Sequence, residues 1–311
     1  MNYSVCVFSF LLLFGFSGGA AGQSLRKKVQ NAVESHCTGE NRVSVMEFSK
    51  DVESSAEKVV KQAVPFLTSE CEGSRYFAVR LIHYAGQLTE DAGLRREITG
   101  HLVQACRDKA GSNRNAALNY LKEYNKEDFS EVTKQALEAL VKDTMLMNGK
   151  MVKLAGFLEI TSLIPYLEVR VDNIASPALR WDIRLAMARM GDQGETVWIE
   201  RKIKRAEVND DFVITFIPDL IYTRQPLLID ICIDVLKSRR KNCFSPNPDA
   251  PKDIQCGYRV MEYLAPVIKD FPLTLDASGS IVTDDYRQAL ATARTWFRKN
   301  RGKYTIMNER Y

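Results

Sequence analysis

An all-α chain, arranged as an irregular α-solenoid of stacked antiparallel helix pairs, is predicted by three features of the sequence. From Val45 onward apolar residues recur at spacings of three and four, with almost no strand-like alternation. The breaks between these segments are short and carry capping residues, as in Thr89-Glu90-Asp91, Gly111-Ser112, Asn209-Asp210 and Thr283-Asp284. A basic residue also returns at a nearly constant interval, the mark of a repeat.

The first 22 residues carry no charged side chain, and Val5 to Phe16 form an apolar run broken only by Cys6, Ser9 and Gly15. With the small residues Ser17 to Gly22 behind it, this reads as a signal peptide over residues 1–22, cleaved after Ala21 or Gly22. A retained anchor is the alternative, disfavoured because a spanning helix needs about 20 apolar residues without a Gly-rich tail. Nothing else approaches a membrane span. Residues 23–45 form a lead-in, with an amphipathic stretch at Leu25 to Val33.

The predicted helices are Met46–Leu67, Ser74–Leu88, Ala92–Lys109, Asn113–Tyr124, Phe129–Met147, Lys150–Glu159 and Leu163–Val171. They continue through Pro177–Met190, Glu195–Ala206, Asp211–Thr223, Pro226–Arg239, Ile254–Lys269 and Asp284–Asn300. Helix pairs cannot bury their apolar faces alone, so an array over residues 46–303 stabilises itself by stacking and needs capped ends. The helix before Lys303 serves as the C-terminal cap, and residues 304–311 are a tail. An insertion at residues 241–253 stands outside the period.

The period itself is carried by Arg80, Arg114, Lys150 and Arg184, spaced 34, 36 and 34 residues apart, with Arg259 a further 75 residues on. The segment Trp181-Asp182-Ile183-Arg184-Leu185-Ala186-Met187-Ala188-Arg189-Met190-Gly191-Asp192 resembles the second-helix signature of HEAT-like repeats. Phe77 to Gly86 and Tyr258 to Ala265 are looser copies. The resemblance implies about six antiparallel HEAT-like pairs, with Asp182 and Arg184 tying neighbouring repeats together. Arg80 and Arg259 take the equivalent places in their copies.

Beyond Cys6, six cysteines remain, an even count that permits disulfides in an exported chain. Cys243 and Cys256 bracket a Pro-rich stretch, and a bond there would stabilise by roughly 3 kcal/mol on the chain-entropy model; two free thiols are the alternative. Cys37, Cys71, Cys106 and Cys232 lie on helical patterns, where a small buried thiol and a bridge are equally compatible. The signal and the cysteines predict a periplasmic or secreted protein. The periplasm is preferred, from the compact signal and few Asn-x-Ser/Thr sites.

The sequence holds no Gly-rich phosphate loop, no Gly-x-Ser-x-Gly elbow, no His-Glu-x-x-His and no Cys-x-x-Cys. His36, His83 and His101 lack metal-ligand spacing, so no metal, cofactor or catalytic residue is assigned. Asp210-Asp211 and Asp284-Asp285 stand at helix starts, where carboxylates cap backbone N–H groups. The net charge of +4 is spread along the chain and does not suggest nucleic acid. In the basic run Arg201 to Arg205, Ile203 turns away from a solvated face.

Interfaces are enriched in Tyr, Trp and Arg. The aromatic residues of the second helices line the concave surface in HEAT-like arrays, which selects Tyr76, Arg114, Tyr120, Trp181 and Tyr258 as candidate binding residues. The leading expectation is a non-enzymatic scaffold of the cell envelope that holds a protein or peptide on a curved helical surface. The alternative is a secreted helical glycan or peptide hydrolase, which would need two carboxylates, or a Cys–His pair, facing one pocket.

Overall fold

A computed structural model describes residues 18–245 and 252–311, with side chains from residue 24 on. The apolar segment up to residue 17 and the centre of the insertion lie outside the described residues. The fold is all-α, with fourteen α-helices and one two-stranded hairpin among the described residues. No helix among them is long and apolar enough to cross a membrane. The chain divides into two compact units, up to Leu94 and from Arg95 onward.

The first unit is built from α1 (Gly18–Thr38), α2 (Ser49–Ala63) and α3 (Glu72–Leu88) around Val29, Phe48, Val59, Phe77, Leu81 and Ile82. α1 is longer than the predicted amphipathic stretch and passes through the predicted cleavage point. It lies so close to α3 that a Cβ on Gly73 would sit 2.0 Å from the His36 carbonyl oxygen. Ser74 Oγ donates to the Val33 carbonyl at 3.1 Å across the same contact. A Cys37–Cys71 disulfide closes it.

The sequence reads Met46–Leu67 as one helix, and the structure breaks it. Ser55 has φ −167° and ψ 92°, and its hydroxyl accepts from the Lys58 amide at 3.3 Å, acting as an internal cap. Pro65, without an N–H, then helps turn the end into a 3-10 segment, Val64–Thr68.

The second unit continues from α4 (Ala92–Ala105) with α5 (Gly111–Leu121), α6 (Glu131–Lys142), α7 (Gly149–Phe157), α8 (Ile164–Val171) and α9 (Pro177–Arg189). Then come α10 (Gln193–Ile203), α11 (Asp210–Tyr222), α12 (Pro226–Lys237), α13 (Gly257–Leu264) and α14 (Tyr286–Lys299). Alternate helices pack in sequence: α5 on α7, α7 on α9, α9 on α11 and α11 on α13. The α7–α9 contact is the most intimate, because Gly156 leaves room where a Cβ would stand 2.8 Å from Ala186 Cα and 2.3 Å from Tyr222 Oη.

Three helices in the chain share one device at their fourth residue. Arg75 Nη1 donates to the carbonyls of Ser69 and Glu70, at 2.8 and 3.0 Å. Arg114 Nη1 does the same to Asp108 and Lys109, at 2.7 and 3.2 Å. Arg180 Nη1 reaches the carbonyls of Ile174 and Ala175. In each case the arginine satisfies the carbonyls five and six residues back, fixing how the chain enters the helix.

Ile254 belongs to a strand rather than to the predicted helix start: Cys243–Phe244 pairs antiparallel with Asp253–Ile254, and the Cys243–Cys256 disulfide closes the hairpin. α14 packs Ala289, Leu290, Ala293 and Phe297 into the core, and its Arg294 donates to the Leu236 and Ser238 carbonyls at 2.8 and 2.7 Å. The tail after Tyr304 is an extended strap. It meets the segment after α13 through Lys269 N to Thr305 O and Met307 N to Val267 O, both 2.9 Å, and the Lys126–Asp128 turn that follows α5 through Lys126 N to Glu309 O, also 2.9 Å.

Candidate binding surface

The polar surface of the second unit is organised by α7, α9, α10 and α11. Asn148 caps α7 by accepting from the Met151 amide at 3.1 Å, which sets Lys150 and Lys153 one turn apart on the helix. Gly149 makes room for Asp182 of α9, since a Cβ there would fall 1.8 Å from Asp182 Oδ2. Lys153 Nζ then lies 2.8 Å from Asp219 Oδ1 of α11 and 3.8 Å from Asp182 Oδ1. The other oxygen of Asp219 accepts from Trp181 Nε1 at 2.6 Å. Tyr222 Oη donates to the Lys153 carbonyl at 2.6 Å, and its ring lies 4.8 Å from the Lys153 ammonium.

Trp181 leads from this ion pair to an aromatic shelf. Its ring is 6.3 Å from Trp198 of α10 and 5.9 Å from Phe216 of α11. Lys202 Nζ stands 5.3 Å from the Trp181 ring and 5.1 Å from the Trp198 ring, while the Arg184 guanidinium lies 4.1 Å from the Trp198 ring. Arg184 is held in place by both oxygens of Glu195, at 2.6 and 2.8 Å, and by Asp172 at 2.5 Å. Trp198 keeps 38 % of its surface exposed, large for an indole with cations on it.

At the other end, Lys122 closes α5 and its ammonium stands 4.8 Å from the Tyr311 ring, which packs 5.5 Å from Tyr222 and 5.7 Å from Phe157. Burial, followed by the ammonium groups of Lys150 and Lys153, pulls Lys122 below the ordinary lysine range. Burial raises Asp182, and Asp219 adds to that, against the lowering by Lys153. Burial also raises Glu195, which Arg184 opposes. Both oxygens of Asp219 are engaged by donors, so this carboxylate holds Lys153 and Trp181 in position.

The residues selected from the sequence are distributed differently. Trp181, Asp182 and Arg184 fall together in this network. Arg114 spends its guanidinium on the α4–α5 turn. Tyr120 is half-buried on α5. Tyr76 and Arg80 lie in the first unit, with the Arg80 guanidinium 5.8 Å from the Tyr76 ring. Tyr258 and Arg259 line a separate cleft of about 580 Å³ with Lys252, Glu262 and Tyr286, and Arg259 pairs with Asp210 at 2.7 Å.

Lys153, Trp198, Lys202 and Asp219 were not selected from the sequence. Lys150 and Lys153 stand one helical turn apart, but Lys58 and Lys61 of α2 do the same, so no local pattern in the sequence points to this group. His36 stacks on Phe77 at 4.5 Å while its neighbour Cys37 is in a disulfide. The Asp pairs split their work: Asp285 caps α14 through the Arg287 and Gln288 amides at 2.9 and 3.0 Å, whereas Asn209 caps α11. Among the described residues no group of three His, Cys, Asp or Glu side chains is placed to hold a metal ion. No family model, no curated protein and no solved structure matches the chain.

Proposed function

We propose that this protein is a non-enzymatic binding protein of an extracytoplasmic compartment, which holds a protein or peptide partner on the surface built by α7, α9, α10 and α11. The observation that carries the reading is the Trp181–Trp198 shelf. It presents two neighbouring indoles, one of them 38 % exposed, with Lys202 and Arg184 against their faces. Rigid aromatic anchors next to oriented cations are the composition of interface hot spots. The surrounding ion pairs fix the shelf before any partner arrives, which lowers the ordering cost of binding.

The HEAT-type solenoid supplies the setting. Alternate packing of α5, α7, α9, α11 and α13 supports it, as does the arginine staple repeated at Arg75, Arg114 and Arg180. The two disulfides support an oxidising compartment, secreted or periplasmic.

Crosslinking in the native host, followed by purification of the tagged full-length protein and mass spectrometry, tests the reading. A specific partner joined through residues on α9 to α11, and lost on Trp181→Ala with Trp198→Ala, is the expected result. Undiminished capture by that double variant, with its fold intact, overturns the assignment of the surface.

A further inference from the structure

The charges along this surface do not balance. Its carboxylates are already committed: Asp219 to Lys153 and Trp181, Asp182 to Lys153, and Glu195 and Asp172 to Arg184. Three ammonium groups make no ion pair within 4 Å among the described residues. Lys122 lies 4.8 Å from the Tyr311 ring, with Asp182 attracting it from beyond ion-pair distance. Lys150 donates to the neutral Asn119 side chain at 3.1 Å. Lys202 lies over the two indoles.

These three lysines are not scattered. A continuous set of contacts joins them, from Lys202 through Trp181, Asp219, Lys153, Tyr222 and Tyr311 to Lys122, with Lys150 bonded to Asn119 one turn before Lys122. The ammonium of Lys122 is half-buried and feels the like charges of Lys150 and Lys153 more than the attraction of Asp182, an imbalance that an approaching anion relieves. Cations held on aromatic faces are partly desolvated yet keep their N–H donors free for such an anion.

We infer that the partner is an acidic peptide segment whose carboxylates pair with Lys122, Lys150 and Lys202 while its apolar atoms lie on the Trp181–Trp198 shelf. The inference rests on the binding surface proposed above and specifies the chemistry it recognises. An extended chain suits the surface, because these cations belong to α5, α7 and α10 rather than to one pocket.

The test uses the full-length protein and a fluorescently labelled acetyl-octaglutamate amide as probe, followed by anisotropy at low and raised salt. Binding that weakens with salt, and falls about tenfold in a Lys122→Met, Lys150→Met, Lys202→Met variant, is expected for three solvent-accessible ion pairs. A Lys299→Met, Lys303→Met variant on and after α14 retains affinity. Equal weakening in both variants overturns the inference, since net charge alone would then account for binding. Tighter binding of a sulfated glycan fragment than of octaglutamate, through the same three lysines, overturns the peptide assignment.

Should the triple variant fail to fold, acetylation footprinting of the unaltered protein decides. Octaglutamate protects Lys122, Lys150 and Lys202 together, and unchanged labelling of all three refutes the row. Capture of a partner that depends on the indoles but ignores the three lysines leaves the proposed function standing and removes this inference alone.

Discussion

The Arg224 guanidinium donates through Nε to the main-chain carbonyl of Met307 at 2.9 Å, across 83 residues of sequence. Arg189, almost wholly buried, reaches the same strap through Asn308 Oδ1 at 3.0 Å and the Arg310 carbonyl at 3.2 Å. Burial, then the neighbouring Arg189 charge, lowers Arg224 to about 10. A buried and a half-buried guanidinium side by side are tolerable because oxygens of the strap accept hydrogen bonds from them. The segment after Tyr304 is therefore part of the fold of the second unit.

Removing residues 305–311 leaves both guanidiniums without these acceptors, at a cost of about 3–5 kcal/mol. Urea unfolding followed by circular dichroism should show the midpoint fall accordingly, with a smaller loss of about 2 kcal/mol for Arg224→Met. An unchanged midpoint on truncation would mean that the strap contributes nothing to stability.

Gly156→Ala gives a prediction whose sign is informative. In an exposed helix this change stabilises by up to about 1 kcal/mol. Here the new methyl would meet Tyr222 Oη at 2.3 Å and Ala186 Cα at 2.8 Å, against a tyrosine already anchored on the Lys153 carbonyl. Overpacking of about 1–3 kcal/mol should prevail. Thermal melts of Gly156→Ala beside an exposed-site control such as Gly194→Ala would distinguish the two effects.

The helices were legible because each carries its own apolar period, as α6 does with Leu137, Leu140 and Val141 on one buried face. The Cys243–Cys256 bond was legible because the loop it closes is local. Cys37 and Cys71 lie 34 residues apart, and their meeting depends on α1 settling against α3 at Gly73, which no local pattern states. The arginine staples escaped for a different reason. Spacing alone selects a register by period, which favours Arg80 and Arg184, whereas the staple at Arg75 and Arg180 depends on the carbonyls five and six residues upstream. Of the candidate binding surface, Trp181 is legible as an aromatic at the head of the segment Trp181 to Asp192. Its partners Trp198 and Asp219 come from other helices and appear only once α9, α10 and α11 are packed.

The cysteines separate cleanly by reactivity. Cys106 and Cys232 are buried free thiols, with Cys106 raised to about 12 and Cys232 raised as well by burial. Since the thiolate is the nucleophile, alkylation at neutral pH should label neither in the native protein, and both after denaturation without reductant. With reductant, Cys37, Cys71, Cys243 and Cys256 should react as well. On the chain-entropy model, loss of the Cys37–Cys71 bond costs about 4 kcal/mol and loss of the Cys243–Cys256 bond about 3 kcal/mol. Matched denaturation curves with and without reductant would read both, and a thiol labelled in the native state would contradict the burial.

His83, on α3, is lowered from 6.5 to about 4 by burial. Its folded form is neutral where the unfolded chain already takes a proton. As pH falls below 6.5 the unfolded state binds that proton first, so stability is full above this value and is lost progressively down to about 4. The slope approaches roughly 1.4 kcal/mol per pH unit, and the total is about 2 kcal/mol once residual solvent contact of the ring is allowed for. His83→Gln keeps a polar side chain of similar size without the titration. Denaturant midpoints taken from pH 7 to pH 4 should therefore diverge between the two proteins, the variant losing less. Carboxylates protonate in the lower half of the same window, but they do so in both proteins and cancel in the difference. Parallel curves would place the titrating group elsewhere and remove His83 as the acid-sensitive element of the first unit.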